Sequence, residues 1–127
     1  MDGQRLAFGD HKTNFTLQSI IAPFLYSLAI DTHGAEYVHS KVGQEIAPGG
    51  LSNKIRLDAN NRPHNPMINT GAILMSTLFG RNKTAPERHN LMMSKLRQLC
   101  GIVNPSSEGL GFDYAAFMAE RTLALHT

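Results

Sequence analysis

The sequence predicts a single small domain of the α+β class that is mainly helical. Its 127 residues suit one domain, and 42% of them are apolar, which excludes a chain that is disordered by composition. One short segment, residues 4–8, alternates polar and apolar side chains as a β-strand does. The other apolar residues lie in segments with helical boundaries, so we expect helices to form most of the domain.

The predicted strand at residues 4–8 follows Asp2 and Gly3, a pair that is typical of a hairpin turn. A hairpin needs a strand before its turn, and the sequence has none there. Because a lone edge strand is rarely stable, we expect that the domain lacks its first strand. The sequence also stops at Thr127 without a helix terminator, so we expect residues 1–127 to form a partial domain that lacks a C-terminal part.

Helix boundary signals predict four helices, at residues 19–32, 70–79, 85–100 and 113–125. Gly34 is expected to end the first helix with a left-handed backbone, and Pro23 is tolerated near its first turn. Thr84 and Glu87 form a capping box before the third helix. The residues between the first two helices, 47–70, are rich in Gly, Asn, Asp and Pro and predict a series of turns.

Composition and spacing exclude several classes of function. The formal net charge is only +2, which is too small for a nucleic-acid footprint. The sole cysteine, Cys100, excludes an internal disulfide and a cysteine-based zinc cluster, and the six histidines show no metal-ligand spacing. The longest apolar segment has about twelve residues, whereas a membrane span needs about twenty. We therefore expect no metal, no nucleic acid and no membrane partner.

A locally basic stretch follows the second predicted helix. It contains Arg81, Lys83, Arg88, Lys95 and Arg97 and has no aromatic residues between them. A nucleic-acid site normally adds aromatic rings on which bases stack. The stretch therefore favours a solvated helix face.

Three polar residues occupy positions that suit either a structural or a chemical role. Ser19 begins a helix, where it can be a helix cap or a nucleophile whose own N–H lies in an oxyanion hole. Asn69 precedes an apolar helix and can be an N-cap or a ligand contact. Glu120 lies on an otherwise apolar helix stripe, where it can form a structural ion pair or bind a cationic ligand group.

The chain resembles the serine-dependent glutaminases in five motifs that occur in the family's order. They are Asp-Gly-Gln-Arg at 2–5, Leu-Gln-Ser at 17–19 with Pro23, Glu-Tyr-Val-His at 36–39, Pro-His-Asn-Pro-Met-Ile-Asn-Thr-Gly-Ala at 63–72 and Phe-x-x-Glu-Arg at 117–121. The resemblance implies a fragment of a serine β-lactamase-like domain of the penicillin-binding and transpeptidase type. It also implies hydrolysis of L-glutamine to L-glutamate and ammonia without a cofactor.

The resemblance implies a role for each of the three polar residues. Ser19 matches the family's nucleophile and, through its N–H, part of the oxyanion hole. Asn69 matches the asparagine that contacts the substrate, and Glu120 matches the glutamate that holds the amino-acid head group. The Glu-Tyr-Val-His motif is closer to the animal kidney and liver types, which implies a mitochondrial protein, with a cytoplasmic one as the alternative.

Two positions depart from the family pattern. The lysine that acts as base, three residues after the serine, is replaced by Ala22, and the family's second asparagine falls on Thr127. Because a serine without a positioned base is a poor nucleophile, we expect a truncated and inactive member of the family. One alternative is an active enzyme that uses His11 or Lys12 as base. The other is a non-catalytic module that docks on a full-length homologue, as a homo-oligomer or a hetero-oligomer.

Overall fold

The computed structural model describes residue 4 and residues 6–47, 57–102 and 111–125, with the backbone alone at 124 and 125. The expectations for residues 48–56, for residues 103–110 and for Thr127 lie outside this part.

Helices dominate the described residues. A 3-10 turn at Gln18–Ile20 leads directly into the first α-helix. The five α-helices are α1 (Ile21–His33), α2 (Ala35–Lys41), α3 (Asn69–Leu78), α4 (Ala85–Leu99) and α5 (Tyr114–Leu125). The four predicted helices are confirmed to within two residues at each end. Helix α2 was not predicted, because it has seven residues and buries only Val38, which gives no amphipathic pattern to read.

Local sequence signals set several of these boundaries. Gly34 ends α1 with a φ of 81°, as predicted, and lets α2 start at once. The predicted capping box precedes α4, where the backbone N–H and the hydroxyl of Thr84 each donate to Glu87 Oε2 at 2.7 Å. These hydrogen bonds hold the pKa of Glu87 below its ordinary value.

The predicted strand at residues 4–8 is wrong for the part that the structure describes. Gln4 and residues 6–8 have irregular backbone, and Leu6 and Phe8 are exposed. The physical reason is that no described segment pairs with them, and an unpaired strand leaves its backbone groups without ladder partners. The described residues contain one isolated antiparallel bridge, between Leu57 and Pro63, and no named strand.

The core lies where α1 packs on α2 and α3. Its buried residues form one cluster, to which Leu91 and Met92 of α4 add a partly buried edge; the buried members are Leu25, Leu28, Ala29, Val38, Val42, Met75, Leu78 and Phe79. His33 Nε2 donates to the carbonyl of Leu78 at 2.9 Å, which joins the last residue of α1 to the last residue of α3. The two helices therefore run side by side with their carboxyl ends together.

The loop before α3 is held by Asn65. Its Oδ1 accepts the backbone N–H groups of Met67 and Ile68 at 3.0 and 3.2 Å, and its Nδ2 donates to the carbonyl of Glu45 at 2.8 Å. Helix α3 then approaches this loop so closely that a Cβ at Gly71 would lie 1.9 Å from the carbonyl oxygen of Asn65. Only glycine fits at position 71.

A second set of hydrogen bonds, together with an ion pair, joins residues 58–62 to α2. Asp58 Oδ1 accepts the N–H groups of Asn60 and Arg62, and its Oδ2 pairs with the Arg62 guanidinium at 2.9 Å. Arg62 Nη1 in turn donates to the carbonyl of His39 at 2.9 Å. The hydrogen bond from the backbone N–H of Arg62, followed by that from its side chain, lowers the pKa of Asp58.

We predict that Gly71→Ala destabilises the fold by at least about 2 kcal/mol, because the new methyl group meets rigid backbone rather than a flexible side chain. Urea unfolding followed by circular dichroism measures the change. Gly111→Ala is the matched control, since a Cβ there meets nothing within 4 Å. Equal stability of the two variants would contradict the close approach of α3 to Asn65.

Acidification is expected to release the 58–62 loop. The pKa of Asp58 in the folded chain lies below its ordinary value of 3.8, so its contribution to stability is present above that pH and is lost as the pH falls through the folded-state pKa. The protection factors of the Asn60 and Arg62 amides, which are corrected for the intrinsic pH dependence of exchange, should fall over that range. Asp58→Ala removes the acceptor and should show low protection already at neutral pH, and high protection in that variant would refute the assignment.

Candidate functional site

The 3-10 turn that carries Ser19 has a strained backbone. Gln18, directly before the serine, has a φ of 40°, which is uncommon for a residue other than glycine. The N–H of Ile20 donates to the carbonyl of Leu17 at 2.9 Å and closes the turn. Strain of this kind occurs where the surrounding structure fixes it, and functional sites are such places. No sequence signal predicts this strain, since glutamine does not favour positive φ.

Ser19 itself is exposed, and its hydroxyl has no hydrogen bond to any described residue. The N-cap residues are Leu17 for the 3-10 turn and Ile20 for α1, without side-chain capping, so the helix-cap interpretation of Ser19 is wrong. The backbone N–H of Ser19 lies in the first turn, where backbone N–H groups have no acceptor within the helix. Neither His11 nor Lys12 bonds to Ser19, and His11 Nδ1 donates instead to the carbonyl of Gly9 at 3.0 Å.

Glu120 meets the strained turn directly. Gln18 Nε2 donates to Glu120 Oε1 at 3.0 Å, across 102 residues of sequence, and so joins α5 to the residue before Ser19. The carboxylate is exposed, and its partner is a neutral amide, so the ion-pair interpretation is wrong for the residues described. A carboxylate has about four lone-pair directions, which leaves room for a cationic ligand beside the Gln18 bond.

Asn69 is the first residue of α3 and is exposed. The N-cap is Ile68, which has extended backbone, so the cap interpretation of Asn69 is wrong. The side-chain amide has no hydrogen bond within the described part of the chain. Its neighbour Thr70 buries a hydroxyl oxygen that also has no partner there. The Asn65 loop fixes the position of Asn69, because it sets where α3 begins.

Helix geometry brings Asn69 to the same end of the fold as Ser19. Helices α1 and α3 are about 20 and 15 Å long at 1.5 Å per residue, and their carboxyl ends meet through His33 and Leu78. Their amino ends, after Ser19 and at Asn69, therefore point to the same side of the fold. Glu120 reaches that side through Gln18. That the three side chains contact one ligand stays a prediction.

Ala22 lies one turn after Ser19 and has 3% of its surface exposed. Its side chain faces the core, whereas that of Ser19 faces solvent. The methyl group supplies no proton acceptor to the serine.

Among the residues that the structure describes, no group of three or more His, Cys, Asp or Glu side chains is arranged to hold a metal ion. None of their helices combines the length and apolar character needed to cross a bilayer.

Comparison with known proteins gives a consistent family assignment. The glutaminase family model matches residues 1–125. Over 122 residues the chain is 38% identical to the mitochondrial liver isoform of glutaminase from Rattus norvegicus. This match covers 95% of this chain and 19% of the rat protein. It is 47% identical over 95 residues to a glutaminase from Microcystis aeruginosa, covering 74% of this chain and 28% of that protein.

A glutaminase from Trichormus variabilis matches 96% of this chain at 37% identity, over 34% of its own length. The chain thus spans about a fifth of the length of the rat relative and about a third of that of the Trichormus relative.

The bond between Gln18 and Glu120 predicts a specific spectroscopic response. In Glu120→Ala, the Gln18 side-chain amide protons lose their acceptor and should move upfield in a ¹⁵N–¹H spectrum, because hydrogen-bonded protons are deshielded. Gln44 is exposed and serves as an internal reference that should not move. An unchanged Gln18 signal would show that α5 does not meet the 3-10 turn in solution.

Proposed function

The chain belongs to the glutaminase family, and we propose that it binds L-glutamine through Ser19, Asn69 and Glu120. In this proposal Ser19 is the nucleophile of the family, and the fold is part of a serine β-lactamase-like domain. The observation that supports the site most strongly is the hydrogen bond between Gln18 and Glu120, which joins a substrate-binding candidate to the residue beside the nucleophile.

The chemistry of the substrate suits these residues. Glutamine is a zwitterion whose ammonium group needs an anionic partner. Glu120 supplies a carboxylate that is hydrogen-bonded to Gln18, the residue before Ser19. Asn69 offers both a donor and an acceptor, and its amide has no partner among the described residues. The N–H of Ser19 is available for the oxyanion that forms when the carboxamide carbon is attacked.

We propose further that the 127-residue polypeptide does not hydrolyse glutamine. Hydrolysis requires a base to take the proton from Ser19 Oγ as that oxygen bonds to the carboxamide carbon, and later a proton donor for the departing ammonia. The family's base position holds the buried methyl of Ala22, and neither His11 nor Lys12 bonds to the serine. Ser19 therefore has no described group that can take its proton.

The proposal extends to location. The rat relative is a mitochondrial protein, and we assign the same compartment to this chain. The cytoplasm is the alternative.

A second candidate function is that of a non-catalytic module that docks on a full-length glutaminase. Exposed large apolar side chains on several elements of the described part favour it, because a partner that covers them would remove apolar surface from water. The most exposed of them are Leu6, Phe8, Phe15, Ile46, Ile73, Tyr114 and Leu123. Sedimentation velocity with a full-length homologue distinguishes a defined complex, which supports docking, from polydisperse aggregate, which does not.

We predict no ammonia release from L-glutamine by the purified chain. Loss of one member of a nucleophile–base unit costs factors of about 10⁴ to 10⁶ in rate, because the members act together. A coupled ammonia assay with Ser19→Ala as control measures the rate. Turnover that disappears in the control would reveal a base for Ser19 and overturn the proposed inactivity.

In the same assay, Ala22→Lys is expected to remain inactive. Position 22 faces the core, so a lysine there either disturbs the packing of α1 or directs its ammonium away from Ser19. Circular dichroism shows which of the two occurs. A folded and active Ala22→Lys variant would mean that the missing lysine alone separates this chain from an active enzyme.

A further inference from the structure

The basic stretch that begins at Arg81 is not a uniform solvated helix face. Its first residues lie between α3 and α4, and one of them reaches across to α2. Arg81 Nη1 donates to the hydroxyl of Tyr37 at 2.9 Å. The contact joins the start of the basic stretch to a residue 44 positions away.

Tyr37 holds two cations at fixed places. Its ring is half-buried against the core and lies 5.3 Å from the ring of His33, measured between centroids. Lys41 Nζ lies 5.5 Å from the Tyr37 ring centroid, so an ammonium stands over the ring while the Arg81 guanidinium lies at its hydroxyl. A ring anchored in this way orders two long side chains that would otherwise be mobile.

Gly80 extends the same basic surface. A Cβ at this position would lie 2.8 Å from Arg88 Cγ and 3.7 Å from Lys83 Cδ, so the stems of both residues pass beside the glycine that precedes Arg81. Lys41, Arg81, Lys83 and Arg88 therefore form a continuous surface from α2 to α4, which we name the basic strip.

Most of the charge on the basic strip is uncompensated. The structure shows an ion pair between Arg62 and Asp58, but none involving the strip in the part it describes. The hydrogen bonds from Thr84 and, to a smaller extent, the charge of Lys83 lower the pKa of Glu87, whose carboxylate already accepts two hydrogen bonds from Thr84. Lys41, Arg81 and Arg88 thus keep their positive charge open to an external partner.

We infer that the basic strip is a docking surface for an acidic segment of a partner protein. Cations distributed along a surface match several carboxylates of an extended chain better than one small anion. A nucleic acid is disfavoured because the aromatic ring of the strip is half-buried against the core and already contacts His33 and Lys41, so it is poorly placed to stack on a base. This inference is independent of the proposed glutamine site.

The test is fluorescence anisotropy with a labelled peptide of alternating glutamate and glycine. An analogue with glutamine in place of glutamate and a single-stranded oligonucleotide of equal charge are the comparison probes. Arg81→Gln and Arg88→Gln are each expected to weaken peptide binding about threefold, as exposed charge pairs do. Arg81→Lys should retain most of the binding, and Arg121→Gln on α5 is the matched control that should retain all of it.

The expected result is saturable binding of the acidic peptide that weakens with salt, depends on Arg81 and Arg88, and is absent for the glutamine analogue. Equal weakening by Arg121→Gln would show a non-specific charge effect and overturn the inference. Tighter binding of the oligonucleotide through Arg81 and Arg88 would overturn it in favour of a nucleic-acid surface. No binding of the acidic peptide would also overturn it.

Discussion

The close approach of α3 to the loop at Asn65 is the constraint on which the rest of the structure depends. Gly71 lets backbone meet backbone, and Asn65 then holds the turn before α3 and ties it to Glu45. This contact sets where α3 begins and therefore where Asn69 lies. Through α3 it also sets the packing of α1, which carries the 3-10 turn with Ser19 at its amino end.

The site region combines this rigid frame with a strained turn. The backbone of Gln18 adopts positive φ, and the side chain of the same residue donates a hydrogen bond to Glu120. Strain of about 1–3 kcal/mol at such a residue persists only where neighbouring contacts fix it, and the Leu17–Ile20 bond and the Glu120 bond do so here. One residue thus orients the nucleophile candidate and the carboxylate candidate together.

Local signals predicted the helices well, because Gly34 and the Thr84–Glu87 box act within a few residues of themselves. Local signals failed where the local structure depends on residues that are distant in sequence. The segment at residues 4–8 has strand periodicity but no described segment to pair with. Ser19 and Asn69 have good capping side chains, yet Ile20 and Ile68 occupy the N-caps, because local sequence sets a helix end only to within one or two residues. The bond between Gln18 and Glu120 joins residues too far apart for any local pattern to reveal.

The central claim is that Ser19, Asn69 and Glu120 bind one amino-acid ligand, and titration of the ¹⁵N-labelled chain with L-glutamine tests it most directly. Saturable shifts with one common Kd at the amides of Ser19, Asn69 and Glu120 are the predicted result. Glu120→Ala should abolish them, whereas Glu36→Ala, which removes an exposed carboxylate from α2, should not. Shifts confined to other residues, or different apparent Kd values at the three positions, would contradict the account.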